Sequence, residues 1–471
     1  MITKSITIED QINTDYKEYA LYVIQSRGIP NFYDSLTPVQ RLILLNSPSA
    51  FKKTVGVVGE VFSTGLYHHG DDSMSQAISK LARPFSCADQ LLIGDGFFGT
   101  PVNPSPSAPR YTQVKISNKY KNLIEKYKDL NSQNEEGGYD WINLDHPIGL
   151  GTHIVGIAVG YKSNILPRKP EDVISYLDGK RKTDIKPYFR NFTGKITRIK
   201  DLRSSSWMIE GDVDVIRESK TIKIKCLSPL QRYDTFYTRI NNILDRSLLN
   251  YKLDNYSTED VKIDIRINCN PSEFDSISKS ILKETKQIVS ENIVFVKDGK
   301  VSEYETIEEY LDDFRIHKEN VLLKRILKDL YYLNSELEFL EAKLEFLNYM
   351  SKGKRTAKEV NDFVSKYKKE ISRRLESIPL TKLNNDEINS VIKEIKQIKI
   401  DIKDKIKESK NQEKIFNTLE KSHYKKTKVK VVRSASLVDY NDGYHDGIKI
   451  WEPEEDVEDD VFDENEENND Y

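Results

Sequence analysis

Tyr111 directly follows Arg110 at the end of an unusual loop. The loop opens with Gly94-Asp95-Gly96-Phe97-Phe98-Gly99, continues through Pro, Ser and Asn residues, and closes with Ala108-Pro109-Arg110-Tyr111-Thr112. A tyrosine becomes a covalent nucleophile once its phenol is deprotonated. A neighbouring guanidinium favours the phenolate and steadies a phosphoryl transition state. With 26 tyrosines in the chain the dipeptide alone is a weak signal, since most Arg-Tyr pairs are surface or strand residues. Its surroundings decide whether it is more.

Three other clusters carry less. His68-His69-Gly70-Asp71-Asp72 offers imidazoles and carboxylates, but adjacent histidines point apart on most backbones and no further ligands are suggested. Asp212 and Asp214 resemble a metal-binding DxD pair, yet they are more simply the solvent face of a strand. Residues 156–163 superficially suggest a phosphate loop, but Lys162 does not follow a glycine at the required spacing. No metal site is therefore assigned to this chain.

The elements that must hold Tyr111 show in periodicity and punctuation. Leu36-Thr37-Pro38 opens a helical pattern over 39–46, and Asp71-Asp72-Ser73 supplies an N-cap for a helix over 74–82, with Pro84 just beyond it. Short helices joined by tight turns suggest a helix-turn-helix arrangement in residues 1–150. From about residue 151 the signal turns mixed, with period-two runs at 207–216, 221–225 and 261–267. A leucine seam follows, in which Leu323, Ile326, Leu330, Leu333, Leu337, Leu340, Leu344 and Leu347 alternate steps of three and four. Ile388, Val391, Ile395, Ile398 and Ile402 form a second seam. Two such helices separated by a small helical block predict an antiparallel coiled coil with a globular tip.

Composition limits the function classes. A chain of 471 residues has room for roughly two to four domains. With 38% hydrophobic residues, a mean hydropathy of −0.60 and no apolar run long enough to span a bilayer, no membrane span is expected. Cys87, Cys226 and Cys269 are odd in number, widely spaced and without a CxxC, which argues for a reducing compartment. The N-terminus has no apolar core of signal-peptide length, so a cytoplasmic location is expected. The formal charge of −3 hides an asymmetry: residues 452–471 hold 12 Asp/Glu and no Lys/Arg, leaving +9 on residues 1–451. A positive body with an acidic tail suits a polyanion-binding protein.

The ordered motifs then become familiar. Tyr22-Val23-Ile24-Gln25-Ser26-Arg27-Gly28-Ile29-Pro30 leads into Asp34-Ser35-Leu36-Thr37-Pro38-Val39-Gln40-Arg41. Val57-Val58-Gly59-Glu60-Val61, Tyr67-His68-His69-Gly70-Asp71 and Ala82-Arg83-Pro84-Phe85-Ser86 precede the Gly94 loop and Arg110-Tyr111-Thr112. Gly156-Ile157-Ala158-Val159-Gly160 and Asn164-Ile165-Leu166-Pro167 come after them. In order and spacing this resembles the breakage–reunion (A-type) subunit of type IIA DNA topoisomerases. The short C-terminus and absent ATPase region look most similar to the medium-subunit branch found in T-even bacteriophages.

The resemblance implies an α+β multidomain fold. Residues 1–150 would be a winged-helix DNA-gate domain and 151–305 a mixed α/β tower. Residues 306–424 would form a long antiparallel coiled coil with a helical dimerisation tip (the C-gate), and 425–471 a basic linker and acidic disordered tail. It also implies residue roles. Tyr111 would attack a DNA phosphate to give a transient 5′-phosphotyrosine, with Arg110 stabilising the transition state. Arg27 and His69 would lie near the scissile phosphate, while Arg41, Lys52 and Lys53 would grip the backbone. Ile157 would wedge between base pairs to bend the duplex. Pattern alone reads Ile157 as a core residue and Lys52-Lys53 as a solvated pair.

Cofactors and partners follow from the same resemblance. Mg²⁺ would be held mainly by a partner subunit, and ATP would be bound by a partner rather than by this chain. The partners would be double-stranded DNA, a second copy of the chain, and subunits carrying the ATPase and metal-binding domains. Departures from the family pattern are visible: His68 and His69 are adjacent where a proline usually intervenes, and Thr37 replaces a common lysine. Asp72 and Gln76 replace the usual hydroxyl and acid near the quinolone site. The rival class is a non-enzymatic, dimeric DNA-binding or architectural protein. A tyrosine recombinase is disfavoured because Tyr111 lies in the first quarter of the chain.

Overall fold

The computed structural model describes residues 7–181, 184–199, 205–353, 355–379 and 385–427. The acidic tail and most of the expected basic linker lie outside these residues. A helical run opens the described chain: Ile8–Gln11, Ile12–Tyr16, Lys17–Val23 and Ile24–Gly28 follow one another without a break, two of the four segments being π-type turns.

The helix Pro38–Leu45 starts with a reciprocal capping box. The Gln40 N–H donates to Thr37 Oγ1, the Thr37 N–H donates to the Gln40 side chain, and Pro38 pre-sets the first turn. The helices Thr54–Ser63 and Asp71–Ala82 follow. The second of these begins three residues earlier than the sequence predicts. Gly70 is its N-cap and makes no side-chain cap, while Asp71 and Asp72 sit in the first turn, where carboxylates favour the helix dipole. These helices close over a small antiparallel sheet in which Gln113–Ile116 lies between Lys52–Lys53 and Leu92–Asp95. Ile43, Val57, Met74, Ile78, Leu92 and Val114 are fully buried between the two layers.

A hairpin, Ile154–Ile157 with Lys162–Ile165, comes next. Beyond it the period-two run over 207–216 is not one strand. It splits at Gly211 into Ser206–Glu210 and Asp212–Ile216, which belong to different sheets. Ser206–Glu210 is central in a three-stranded sheet, whereas Asp212–Ile216 edges a four-stranded one. A β-carbon on Gly211 would stand 2.5 Å from the Cys226 carbonyl oxygen, so this crossing point has no room for a side chain. The helices Tyr233–Arg246 and Pro271–Glu284 bury Phe236, Ile240, Phe274 and Ile281 against the four-stranded sheet. Asp214 pairs with Lys225 at 2.7 Å, and Asp212 accepts from the Thr193 hydroxyl, as expected of a solvated strand face.

The helix Ile307–Ser351 begins inside the core, where Tyr310 stacks on Phe295 at 4.2 Å. Its outer part pairs with Asn385–Thr427 in antiparallel fashion. Lys343 bonds Glu387 and Lys399 bonds Glu341, so rising numbers on one helix meet falling numbers on the other. The seam residues Leu340, Leu347, Val391 and Ile395 are buried, and the short helices Ala357–Val364 and Lys369–Glu376 cap them at the far end. Backbone helix continues to Thr427, so the first three residues of the expected basic linker are still helical. None of the helices in the described residues is long and apolar enough to cross a membrane.

Candidate active site around Tyr111

Tyr111 is 64% exposed, and the guanidinium carbon of Arg110 lies 4.8 Å from its ring centroid. The arrangement is a cation–π stack that keeps a positive charge beside the phenol. The turn carrying the pair is held from both sides by the start of the helix Thr54–Ser63. The Thr54 N–H donates to the Thr112 carbonyl at 3.0 Å and the Val55 N–H to the Pro109 carbonyl at 3.3 Å. The first N–H groups of a helix have no partner of their own, and here two of them bind the turn. The Tyr111 N–H closes onto the Ala108 carbonyl at 2.9 Å. An exposed tyrosine thus stands on a fixed base.

The loop before it is built from glycine constraints. Gly96 and Gly99 adopt φ of 103° and 92°, where side chains are strained. A β-carbon on Gly99 would also meet the Pro104 carbonyl oxygen at 2.7 Å. Arg83 reaches into the same loop and donates to that carbonyl at 2.8 Å.

A second group forms around Arg27, which lies at the end of the N-terminal helical run. His69 packs edge-on against Tyr67 at 5.4 Å. Partial burial, then the positive charge of Arg27 and the neighbouring His68, hold the His69 imidazole below its usual pKa and favour its neutral form. Burial raises the Tyr67 phenol, and Arg27 opposes that shift. Arg27 therefore sits close enough to both rings to bias their charge.

Ile157 ends the strand Ile154–Ile157 and is 72% exposed. The sequence pattern made it a core residue; the strand instead buries Ile154 and Gly156 and turns Val155 and Ile157 outward. The hairpin lies against Gly28: a β-carbon on Gly156 would stand 1.9 Å from the Gly28 carbonyl oxygen. Arg27 and Ile157 are thus each one residue away from a single backbone contact. The far end of the hairpin is bolted down by Glu291, which accepts from the Leu166 N–H, the Arg168 guanidinium and the Trp207 indole.

The predicted backbone-gripping residues divide. Lys53 is exposed and faces Gln113 across the sheet, two residues from Tyr111. Lys52 is half-exposed and bonds Glu60. Arg41, expected to grip the backbone, is instead buried, donating to both oxygens of Asp34 at 2.6 and 3.0 Å and to the Leu36 carbonyl. Asp34 also accepts from the Ile142 N–H, so withdrawing Arg41 toward DNA would strand a buried carboxylate. Arg41 is a strut of the core. Among the described residues, no hydrogen bond or ring contact joins the Tyr111 group to the Arg27 group. Pattern in the sequence did not single out the buried Thr54–Thr112 hydroxyl pair beneath the turn, although Thr112 belongs to the same motif as Tyr111.

The profile of the family described as the A subunit of DNA gyrase/topoisomerase IV matches residues 27–423. The DNA gyrase A subunit of Borrelia hermsii is 35% identical over 186 residues, covering 36% of this chain and 22% of that protein. The DNA topoisomerase medium subunit of Enterobacteria phage T4 is 25% identical over 385 residues, covering 75% of this chain and 84% of that one. The crystal structure of the Plasmodium falciparum topoisomerase II DNA-binding, cleavage and re-ligation domain superposes with a TM-score of 0.71 at 18% identity. It covers 88% of this chain and 65% of that one, and it shows the same mixed α/β fold. The match to the gyrase protein spans only about a fifth of that protein's length, whereas the profile match runs through nearly the whole described chain. The chain belongs to the family of DNA gyrase/topoisomerase IV A subunits.

Proposed function

We propose that the chain is the DNA-cleaving and rejoining subunit of a type II DNA topoisomerase, with Tyr111 as its nucleophile. The observation that carries this is the presentation of Tyr111, 64% exposed on a turn pinned at both ends, with a guanidinium over its ring. In the forward step the Tyr111 oxygen forms a bond to phosphorus, the bond from phosphorus to the 3′-oxygen breaks, and the phenol proton leaves as the 3′-oxygen gains one. The 5′-phosphotyrosine keeps the phosphoester energy, so the reverse step reseals the strand without an external energy source. Arg110 lowers the cost of charge on the phenolate and on the phosphoryl oxygens.

The other residues bind and shape the duplex. Arg27 and neutral His69 lie beside the phosphate path, and Lys53 with Lys52 supplies salt-dependent backbone affinity. Ile157, exposed at a hairpin end, enters a base step and bends the DNA. Residues 1–150 act as the winged-helix gate, 151–305 as the tower, and 306–424 as the coiled coil whose tip pairs two copies. Residues 425–471 are the linker and acidic tail.

Phosphoryl transfer of this kind uses Mg²⁺ to offset phosphate charge. Among the described residues no three His, Cys, Asp or Glu side chains converge on a metal position. On this reading Mg²⁺ is held mainly by a partner subunit and ATP by a partner, in the same cytoplasmic complex. The test is reconstitution with those partners. The full complex relaxes and decatenates DNA with ATP, whereas this chain alone binds duplex without passing strands. A reconstituted complex that binds and bends DNA yet never breaks it favours an architectural role and overturns the proposal.

A further inference from the structure

We propose that Thr54 and Thr112 are a positioning pair for the nucleophile: their buried hydroxyl–hydroxyl bond fixes the direction in which the turn presents Tyr111. This rests on the assignment of Tyr111 made above and adds the device that aims it.

Both threonines are buried, at 0% and 1% exposure, and their Oγ1 atoms lie 2.8 Å apart. Among the described residues neither side-chain oxygen has another hydrogen-bond partner. The pair extends the register of the sheet beside it, where Lys53 faces Gln113. The two backbone bonds already described hold the carbonyls that flank Arg110-Tyr111, one on each side. They set where the turn sits along the helix, and both act on backbone carbonyls alone. The hydroxyl bond supplies a third fixed point, one residue beyond Tyr111. A β-branched side chain is stiff at χ1, so a bond to its hydroxyl is transmitted to its own backbone. The other branch of Thr112 is also confined: its Cγ2 lies 3.4 Å from where a β-carbon on Gly96 would stand, and Gly96 is held at a φ of 103°.

Packing alone does not require hydroxyls at these positions. Valine has nearly the same shape and would fill the space without needing a partner. What the hydroxyls add is direction, because a hydrogen bond constrains angle as well as distance. Direction matters most for a group that must meet phosphorus in line, where a displacement of about 1 Å costs about 100-fold in rate.

The test separates aiming from stability. The chain, reconstituted with its partner subunits and Mg²⁺ on a defined linear duplex, is quenched with denaturant at short times and covalent adducts are counted. Thr54→Val or Thr112→Val alone leaves one buried hydroxyl unpaired and lowers the melting temperature. The double variant restores an apolar pair and recovers most of it. If the pair aims Tyr111, the double variant keeps its DNA Kd within about two-fold while adducts form about ten- to a hundred-fold more slowly at saturating DNA. Thr54→Ser, which keeps the bond, stays within about three-fold of wild type on the same scale. A double variant that forms adducts at the wild-type rate overturns this inference and leaves the nucleophile assignment standing. A defect confined to Kd overturns it as well. Adducts that persist in Tyr111→Phe overturn the assignment of the nucleophile, and this inference with it.

Discussion

Gly28 and Gly156 run back to back so closely that neither has room for a β-carbon. One added to Gly156 would stand 1.9 Å from the Gly28 carbonyl oxygen, and one added to Gly28 would stand 2.6 Å from the Ile157 carbonyl oxygen. Through this contact Arg27, at the end of a helical run, and Ile157, at the end of a hairpin, are held as one unit.

Gly156→Ala is therefore expected to push the hairpin away from Arg27. Overpacking of this kind costs about 1–3 kcal/mol. A fall in the urea midpoint at unchanged m-value should accompany weaker bending of a bound duplex. A midpoint equal to wild type would show that the two backbones part without strain.

Ile157→Ala should behave in the opposite way on stability. The side chain is 72% exposed, so the folded state loses little, within about 0.5 kcal/mol. Bending of a doubly labelled duplex, read as end-to-end energy transfer, should nevertheless drop sharply. Full bending by the variant would remove Ile157 from the wedge role.

Arg41 and Lys53 give a contrast between two basic residues of one motif region. Arg41→Ala leaves the buried Asp34 carboxylate without its counter-charge, a loss of about 3–5 kcal/mol. Lys53→Ala should leave folding intact and reduce the slope of log K against log salt by about 0.9, the value for one phosphate contact. An unchanged salt slope would take Lys53 out of the DNA interface.

His317, on the long helix, sets an acid limit. Its Nε2 is buried with no hydrogen-bond partner among the described residues, and Tyr33 and Phe314 pack against the ring at 4.5 and 5.3 Å. Burial first, then the charges of Lys324 and Lys297, bring its pKa down to about 3 from the ordinary 6.5. The unfolded chain therefore binds the extra proton between these values. Stability is intact above about pH 6.5 and is lost as pH falls toward 3, at up to about 1.4 kcal/mol per pH unit. His317→Phe should flatten that dependence in urea melts at pH 5 and 7. An equally steep fall in the variant would place the sensitivity elsewhere.

Much of this was legible in the sequence, and the gaps have physical reasons. The seams at Leu340–Leu347 and Val391–Ile395 showed because a buried helix face repeats every three or four residues whatever its partner. Alternation over 207–216 says nothing about which sheet a strand joins, and it is the crowding at Gly211 that marks the crossing. Pattern alone reads Ile157 as core, since hydrophobicity predicts burial on average and an outward apolar residue looks the same in one dimension; the outward placement is legible only through the family resemblance. For Arg41 the motif position points to DNA, but it does not show that Asp34, seven residues earlier, already occupies the guanidinium. The aim of Tyr111 was invisible for a related reason. It depends on Thr54, more than fifty residues away in sequence and 2.8 Å away in space from Thr112.

The chemistry proposed for Tyr111 joins its oxygen covalently to DNA. The most direct measurement quenches the reconstituted complex on duplex DNA, digests both protein and DNA, and identifies by mass spectrometry the peptide that carries the residual nucleotide. A single modified peptide is expected, with the 5′-phosphate on the oxygen of Tyr111, and none in Tyr111→Phe. A nucleotide on any other of the 26 tyrosines would contradict it.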